Sequence, residues 1–312
     1  MILNVTYIAL ALALLFVGAE GVVRGSSSLG LRAGLSRLTV GLTIVAFGTS
    51  SPELVVSLKA TLSQQGDISV GNVVGSNIFN IAVILGVTAL LCPIPVHRQI
   101  LKVDAPIALG VTGLLIVLLV NDRLGRLEGL LLFAGMVTYT VMNIVLARKE
   151  ADVDSNALAA PGVSRHWGID LAFVLGGLGI LILGSRLLVD HSVLLARTFG
   201  ISEAVIGLTI VAAGTSMPEL ATSVVAAIRK QPDIAIGNVV GSNVFNILGI
   251  LGLTSIVSPL NAPGIAWLDY AAMLAFTVLL IPLLYTGRIL HRLEGLALLV
   301  LYGGYLFLLW PK

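Results

Sequence analysis

The sequence predicts an all-α membrane protein of ten transmembrane helices, arranged as two inverted five-helix repeats with broken core helices. Three observations carry that prediction. Apolar residues make up 57% of the chain and charged residues only 11%, with a mean hydropathy of +1.04; a soluble domain carries about a quarter charged side chains. The apolar residues gather in long runs separated by the few charges, as a chain that crosses a bilayer repeatedly requires. The chain also repeats itself at a fixed offset, Glu53 recurring 166 residues on as Glu219.

The repeat runs the length of the chain. Val40-Gly-Leu-Thr-Ile-Val-Ala-Phe-Gly-Thr-Ser-Ser-Pro-Glu53 returns as Ile206-Gly-Leu-Thr-Ile-Val-Ala-Ala-Gly-Thr-Ser-Met-Pro-Glu219. Gly71-Asn-Val-Val-Gly-Ser-Asn77 returns as Gly237-Asn-Val-Val-Gly-Ser-Asn243, and Arg126-Leu-Glu-Gly129 as Arg292-Leu-Glu-Gly295, without a gap. Chance does not produce this, so the unit is duplicated. The first unit is expected over 1–147, a polar linker over 148–167, and the second unit over 168–312.

Each unit holds five apolar segments, at roughly 3–23, 36–62, 68–92, 102–120 and 126–147, then 168–189, 202–228, 234–258, 266–285 and 291–310. At 1.5 Å per residue each is long enough for a hydrocarbon core of about 30 Å. The first has the length of a secretory leader but lacks a basic flank, and its counterpart lies deep in the chain, so it reads as the first membrane helix. Because five is odd, the second unit enters the membrane from the opposite side. Basic residues agree. With both termini outside, the inner loops hold Arg24, Arg32, Arg37, Arg98, Lys102, Arg148, Lys149, Arg165, Arg229, Lys230, Arg288 and Arg292, and the outer segments only Lys59, Arg123, Arg126, Arg197 and Lys312. Positive residues favour the cytoplasmic side, which puts the linker there.

Several function classes drop out. A net charge of +2 gives no footprint for nucleic acid. Cys92 is the one cysteine, so there is no intramolecular disulfide and no thiolate cluster. His97, His166, His191 and His291 are expected in loops or at helix ends, as solvated groups and not metal ligands. No nucleophile–base arrangement sits at membrane depth, so the chain does not read as an enzyme and no cofactor is expected. The lipid bilayer is the expected surrounding; no obligate protein partner is evident.

The chemistry concentrates at Glu53 and Glu219. A carboxylate at bilayer depth costs at least about 2.5 kcal/mol, yet both lie inside apolar segments, each after a Gly-Thr-Ser-x-Pro step. Pro52 and Pro218 remove a backbone donor and Gly48 and Gly214 loosen the same turn. The carbonyls near Ala46, Thr49, Ala212 and Thr215 are therefore expected to lack helical partners, and the hydroxyls of Thr49, Ser50, Thr215 and Ser216 add oxygen. The Gly-Asn-Val-Val-Gly-Ser-Asn stretches predict a second broken segment per unit, carrying Ser76, Asn80, Ser242 and Asn246. An all-oxygen set around two carboxylates suits a hard cation, calcium or sodium. Interrupted helices at matched places in two repeats point to a transport site at mid-membrane.

These motifs, Gly48-Thr-Ser-Ser-Pro-Glu53 with Gly71-Asn-Val-Val-Gly-Ser-Asn-Ile-Phe-Asn80 and their copies at 214–219 and 237–246, resemble the two alpha-repeats of sodium/calcium exchangers. That family belongs to the calcium/cation antiporter superfamily, and the chain is similar to its prokaryotic members over nearly its whole length. The resemblance implies a secondary active antiporter exchanging Ca2+ for Na+ by alternating access, in the plasma (inner) membrane. The first helix of each unit would slide across a core of four motif-bearing helices. Glu53 and Glu219 would bind calcium with the carbonyls of Thr49 and Thr215. Sodium would draw on Ala46, Ser50 and Ser242 on one side and on Ala212, Ser216 and Ser76 on the other, with Asn80 and Asn246 in the middle. Some members carry aspartate where this chain has Asn246; the symmetric asparagines argue against a potassium requirement. Proton coupling and a cation channel with a glutamate filter remain the alternatives.

Other matched residues have plainer readings. Glu20 and Arg186 are expected near opposite membrane faces as interfacial charges. Glu128 and Glu294 read as helix-start charges, Asn72 and Asn238 as caps of a helix break, and Thr43, Thr209 and most glycines as helix-packing residues.

Overall fold

The computed structural model describes residues 2–151, 166–199 and 212–309. It is helical throughout apart from four two-residue strands. The helices are α1 (Ile2–Arg32), α2 (Arg37–Thr49), α3 (Ser51–Leu62), α4 (Gly66–Leu91), α5 (Ile100–Leu118) and α6 (Arg126–Ala151), then α7 (Trp167–Thr198), α8 (Met217–Ile228), α9 (Pro232–Val257), α10 (Trp267–Tyr285) and α11 (Arg292–Leu309). Among the described residues, eight helices are long and apolar enough to cross a membrane, or nine if the bent pair α2–α3 is one span. The protein is an integral membrane protein. Of the expected segment 202–228, residues 202–211, with Thr209, lie outside the described residues, as do 152–165 of the linker.

Helices α1 and α7 run well past the apolar segments that announce them. Polar residues continue them because their side chains are used: the Ser26 hydroxyl bonds back to the Val22 carbonyl, and Ser28 donates to Asp170 on α7. The two helices pack antiparallel, with glycines letting the backbones touch. A Cβ on Gly18 would lie 2.8 Å from the Gly177 carbonyl oxygen, so no side chain fits there. His191 corrects one expectation. It lies within α7 rather than at an end, bonded to Asn4 and stacked on Tyr7 at 4.3 Å.

Helices α4 and α9 form the interior. The apolar window of α9 is entirely buried, whereas that of α11 is 11% buried and leaves its apolar side chains facing outward, as lipid contact requires. Helix α2 crosses α9 at Gly41, Gly237 and Gly241, where a Cβ on Gly241 would sit 2.6 Å from the Leu42 carbonyl oxygen. Among the described residues, four π-helical turns, Gly41–Val45, Asn80–Ile84, Ile100–Asp104 and Asn246–Leu251, interrupt the α-helices. Hydropathy alone does not predict such turns.

The strands are β1 (Ile94–Pro95), β2 (Arg123–Leu124), β3 (Leu260–Asn261) and β4 (Ile289–Leu290). β1 pairs with β4 and β2 with β3, both antiparallel. Since β3 and β4 stand 166 residues beyond β1 and β2, each pair joins non-equivalent strands of the two units. The flanking bonds recur in the same way: Val96 N–H donates to the Arg288 carbonyl and Ala262 N–H to the Asp122 carbonyl, each at 2.8 Å.

Candidate functional site

The break expected before Glu53 is present. Ser36 caps α2 by accepting from the Thr39 N–H at 3.1 Å. The helix ends at Thr49 and resumes at Ser51 with a 45° bend. Pro52 sits in the first turn of α3, where its missing N–H has no helical partner to lose. Glu53 follows in that turn, at the positive end of the helix dipole. In the second unit a short turn, Ala212–Gly214, leads through Thr215 and Ser216 into α8, with Pro218 and Glu219 in its first turn. The Ala212 side chain lies outside the described atoms.

The hydroxyls cross between the units. Ser50 donates to Glu219 Oε1 at 2.8 Å, and Ser216 donates to Glu53 Oε1 at 3.0 Å. Ser216 Oγ also lies 3.2 Å from Ser76 Oγ. Both glutamates are 1% exposed, and Thr49, Ser50, Ser76, Asn80, Ser216, Ser242, Asn246 and Ala46 are buried with them. These bonds bring Ser50, Glu219, Ser216, Glu53 and Ser76 together in one buried region, while Thr215 is half-buried.

A ring of asparagines flanks the carboxylates. Asn77 and Asn243 each donate from Nδ2 to the other's backbone carbonyl, at 3.2 and 3.3 Å. Their Oδ1 atoms then accept from Asn246 and Asn80 at 3.0 and 2.9 Å. Because the Nδ2 atoms of Asn77 and Asn243 are already committed, only the amide nitrogens of Asn80 and Asn246 can face them. This fixes both rotamers and leaves Asn80 Oδ1 and Asn246 Oδ1 without a donor. The same condition holds for Glu53 Oε2, Glu219 Oε2, Ser242 Oγ and Thr215 Oγ1. Buried polar atoms are rarely left unpaired. Six such oxygens, two of them on the carboxylates themselves, make a set of acceptors that a cation satisfies.

Asn72 and Asn238 hold the breaks. Asn72 Nδ2 donates to the Glu53 carbonyl at 3.2 Å and to Ser57 Oγ at 2.9 Å; Asn238 does the same to the Glu219 carbonyl at 3.3 Å and Ser223 Oγ at 3.0 Å. Each ties the first turn after a break to the neighbouring helix by donating to a carbonyl there, and Asn238 Oδ1 accepts from the Thr49 hydroxyl at 3.1 Å. The capping of a helix-start N–H expected from the sequence is therefore not the role the structure gives them. The Ala46 carbonyl departs from expectation: it accepts the Ser50 N–H at 3.1 Å, a normal helical bond, so α2 stays helical one residue further than the Gly48 and Pro52 signals suggest. The Thr49 hydroxyl lies 3.5 Å from the same carbonyl oxygen.

Sequence reasoning missed Asn77 and Asn243. They precede Asn80 and Asn246 by three residues and so share a helix face with them, which is the signal that would have found them. It also missed a buried cluster in which Tyr139 donates to Asp104 Oδ1 at 3.0 Å and Gln99 to Asn143 Oδ1 at 2.7 Å. Among the described residues no group of three or more His, Cys, Asp and Glu could hold a metal; the candidate site has two acidic groups and otherwise neutral oxygens.

Comparison with known proteins agrees with this geometry. The family profile described as sodium/calcium exchanger protein matches residues 3–145 and 169–310. The inner membrane protein YrbG of Escherichia coli K12 is 35% identical over 285 residues, covering 89% of this chain and 88% of its own. The sodium/calcium exchanger MaX1 of Methanosarcina acetivorans is 33% identical over 347 residues, covering 99% of both. A solved structure of the sodium-calcium exchanger NCX_Mj superposes with a TM-score of 0.81 at 32% identity, over 96% of this chain and 97% of that one. With two buried carboxylates each bridged by the other unit's serine, and a family profile matched over both units, the chain belongs to the sodium/calcium exchanger protein family.

Proposed function

We propose that the protein is a secondary antiporter that exchanges Ca2+ for Na+ by alternating access. The observation that carries this reading is the crossed pair Ser50–Glu219 and Ser216–Glu53, surrounded by buried oxygens without donors. Glu53 and Glu219, with the carbonyls of Thr49 and Thr215, hold calcium. Sodium takes the flanking oxygens of Ala46, Ser50 and Ser242 and of Ala212, Ser216 and Ser76, with Asn80 and Asn246 turned to the centre. The names of the similar proteins, MaX1 and NCX_Mj as sodium/calcium exchangers, support the same ions.

The architecture we infer is ten helices in two inverted units, 1–147 and 168–312, joined by a cytoplasmic linker at 148–167, with both termini outside and the chain in the plasma (inner) membrane. The strand pairing supports inversion: β1 and its counterpart β3 lie in different sheets, each paired with a non-equivalent strand of the other unit. The name of YrbG, an inner membrane protein, supports the location.

Two ionised glutamates give the bare site a charge of −2. Such a site is costly to carry across the membrane barrier, while one calcium neutralises it. Movement is thereby tied to occupancy, and exchange prevails over leak. Helices α1 and α7, packed on each other and wrapped against the core, are the elements that slide.

The test is radioactive calcium uptake into proteoliposomes loaded with sodium, at fixed and equal pH on both sides. Uptake that collapses when internal sodium is replaced by choline supports the reading. A second reading is proton coupling, favoured by the unpartnered Oε2 atom on each glutamate; uptake that follows a pH gradient and ignores sodium would establish it.

A further inference from the structure

The duplication allows the two ends of the molecule to be compared residue by residue. At one end a cavity of about 260 Å³ opens between α3 and α7, lined by Ser51, Pro52, Val56, Arg186, Val189 and Asp190 among others, and reaching Thr215. Each lining residue has a counterpart 166 residues away at the other end, and several of those counterparts are closed off. Thr222, which matches Val56, is fully buried, and Val23, which matches Val189, is 1% exposed, whereas Val56 is 36% exposed. The structure is open at the Asp190 end and shut at the other.

A charged contact sits at the shut end. Glu20 on α1 accepts from Arg229 Nε at 2.7 Å, just past the last residue of α8, and is also paired with Arg24 one turn along its own helix. It thus ties the α1–α7 pair to the core. That pair is itself fastened at both ends, by Ser28 and Arg32 on Asp170 and by Asn4 and Tyr7 on His191. The counterparts break the symmetry. Glu20 matches Arg186, Arg24 matches Asp190, and Arg229 matches Ser63, which has no charge to offer. Among the described residues neither Arg186 nor Asp190 forms an ion pair, and both are exposed. If the two units exchange conformations, the far end has no arginine at the position of Arg229 on which to close.

We propose that the Glu20–Arg229 ion pair is a one-sided latch that holds α1 against the core and biases the transporter toward the state open at the Asp190 end. Under the topology proposed above, the latch is cytoplasmic and the favoured state faces outward. The proposal rests on alternating access of α1 and α7, but not on which ion is carried. Its effect is one of population: it changes how often each face opens and leaves the ion-binding oxygens as they are.

The experiment uses the full chain with Cys92→Ala and a reporter cysteine at Thr222→Cys, buried while the latch is shut. The rate of maleimide labelling at Thr222→Cys reports opening of the latched end. In Glu20→Gln and in Arg229→Gln the rate rises about two- to fivefold, the range for a partly exposed ion pair. The double variant shows no further rise, and Arg229→Lys returns toward the parent rate. Unchanged labelling in both single variants overturns the latch, and so does a double variant whose effect equals the product of the singles. Labelling proceeds without transport, so a failure of sodium-driven calcium uptake bears on the proposed function alone.

Discussion

Each central carboxylate has one oxygen on a serine of the opposite unit and one oxygen with no donor. Two like charges buried together repel, and a shared cation relieves both. Glu53→Gln or Glu219→Gln removes one charge and puts an amide N–H among acceptors. We expect calcium uptake to fall roughly a hundredfold or more, since ligand charge sets calcium affinity over several orders of magnitude. Thermal stability in detergent without ions should stay equal or rise, because a repulsion is lost. Robust uptake by either variant would refute the site. Ser50→Ala and Ser216→Ala remove a neutral oxygen. Sodium activation should weaken roughly fivefold, the equivalent of about 1 kcal/mol, while half-saturation by calcium moves less; equal shifts in both would dismiss the division of oxygens. Glu53, Glu219 and their serines were legible in the sequence because carboxylates at membrane depth are rare and these came in duplicate. Asn77 and Asn243 were not, because an asparagine that orients another asparagine looks like any polar residue in a motif.

Among the elements, the breaks before Glu53 and Glu219 were readable, but the breaks expected at the Gly-Asn-Val-Val-Gly-Ser-Asn stretches are absent. There α4 and α9 run through 71–77 and 237–243 as continuous α-helix and depart from it only in the π-helical turns that follow. Gly48 and Pro52 announce a break that the structure places at Ser50, but the π-helical turns at Asn80 and Asn246 leave no mark of their own in hydropathy. Those turns matter because an added residue per turn rotates the helix and re-aims the asparagine that opens it. The length of α1 was underestimated, because its last turns carry serines and an arginine, of which Ser28 and Arg32 find their partner in Asp170 on α7. The crossing of α2 and α9 is the element on which site geometry depends most directly, since α2 carries Thr49 and runs on to Ser50, and α9 carries Ser242 and Asn246. Gly241→Val puts a branched side chain where a Cβ already lies 2.6 Å from the Leu42 carbonyl oxygen. Overpacking of this kind costs roughly 1–3 kcal/mol. The variant should melt several degrees lower, and Gly241→Ala should fall between it and the parent. A melting temperature unchanged by valine would mean that the crossing is looser than the backbone contacts imply.

For the whole molecule, duplication makes the charge balance as well as the architecture. The two units contribute one glutamate each, so the site has a charge of −2, and the asparagines at the centre add none. In the function proposed above, the flanking oxygens would form two equivalent sets about a middle position, giving three places for a monovalent ion against one for calcium. On that proposal calcium would cross in a neutral complex and three sodium ions in a complex of charge +1. One net charge moves per cycle, worth about 2.3 kcal/mol per 100 mV. In sodium-loaded proteoliposomes the outward sodium step carries that charge, so an inside-positive potential should raise calcium accumulation. The equilibrium calcium ratio should change about fiftyfold per 100 mV, the free energy just given expressed as a ratio. Calcium accumulation measured against potentials set by valinomycin and potassium gradients reads this slope directly. A ratio indifferent to voltage would mean that two monovalent ions balance each calcium, leaving the middle position between Asn80 and Asn246 without an ion of its own during the sodium step.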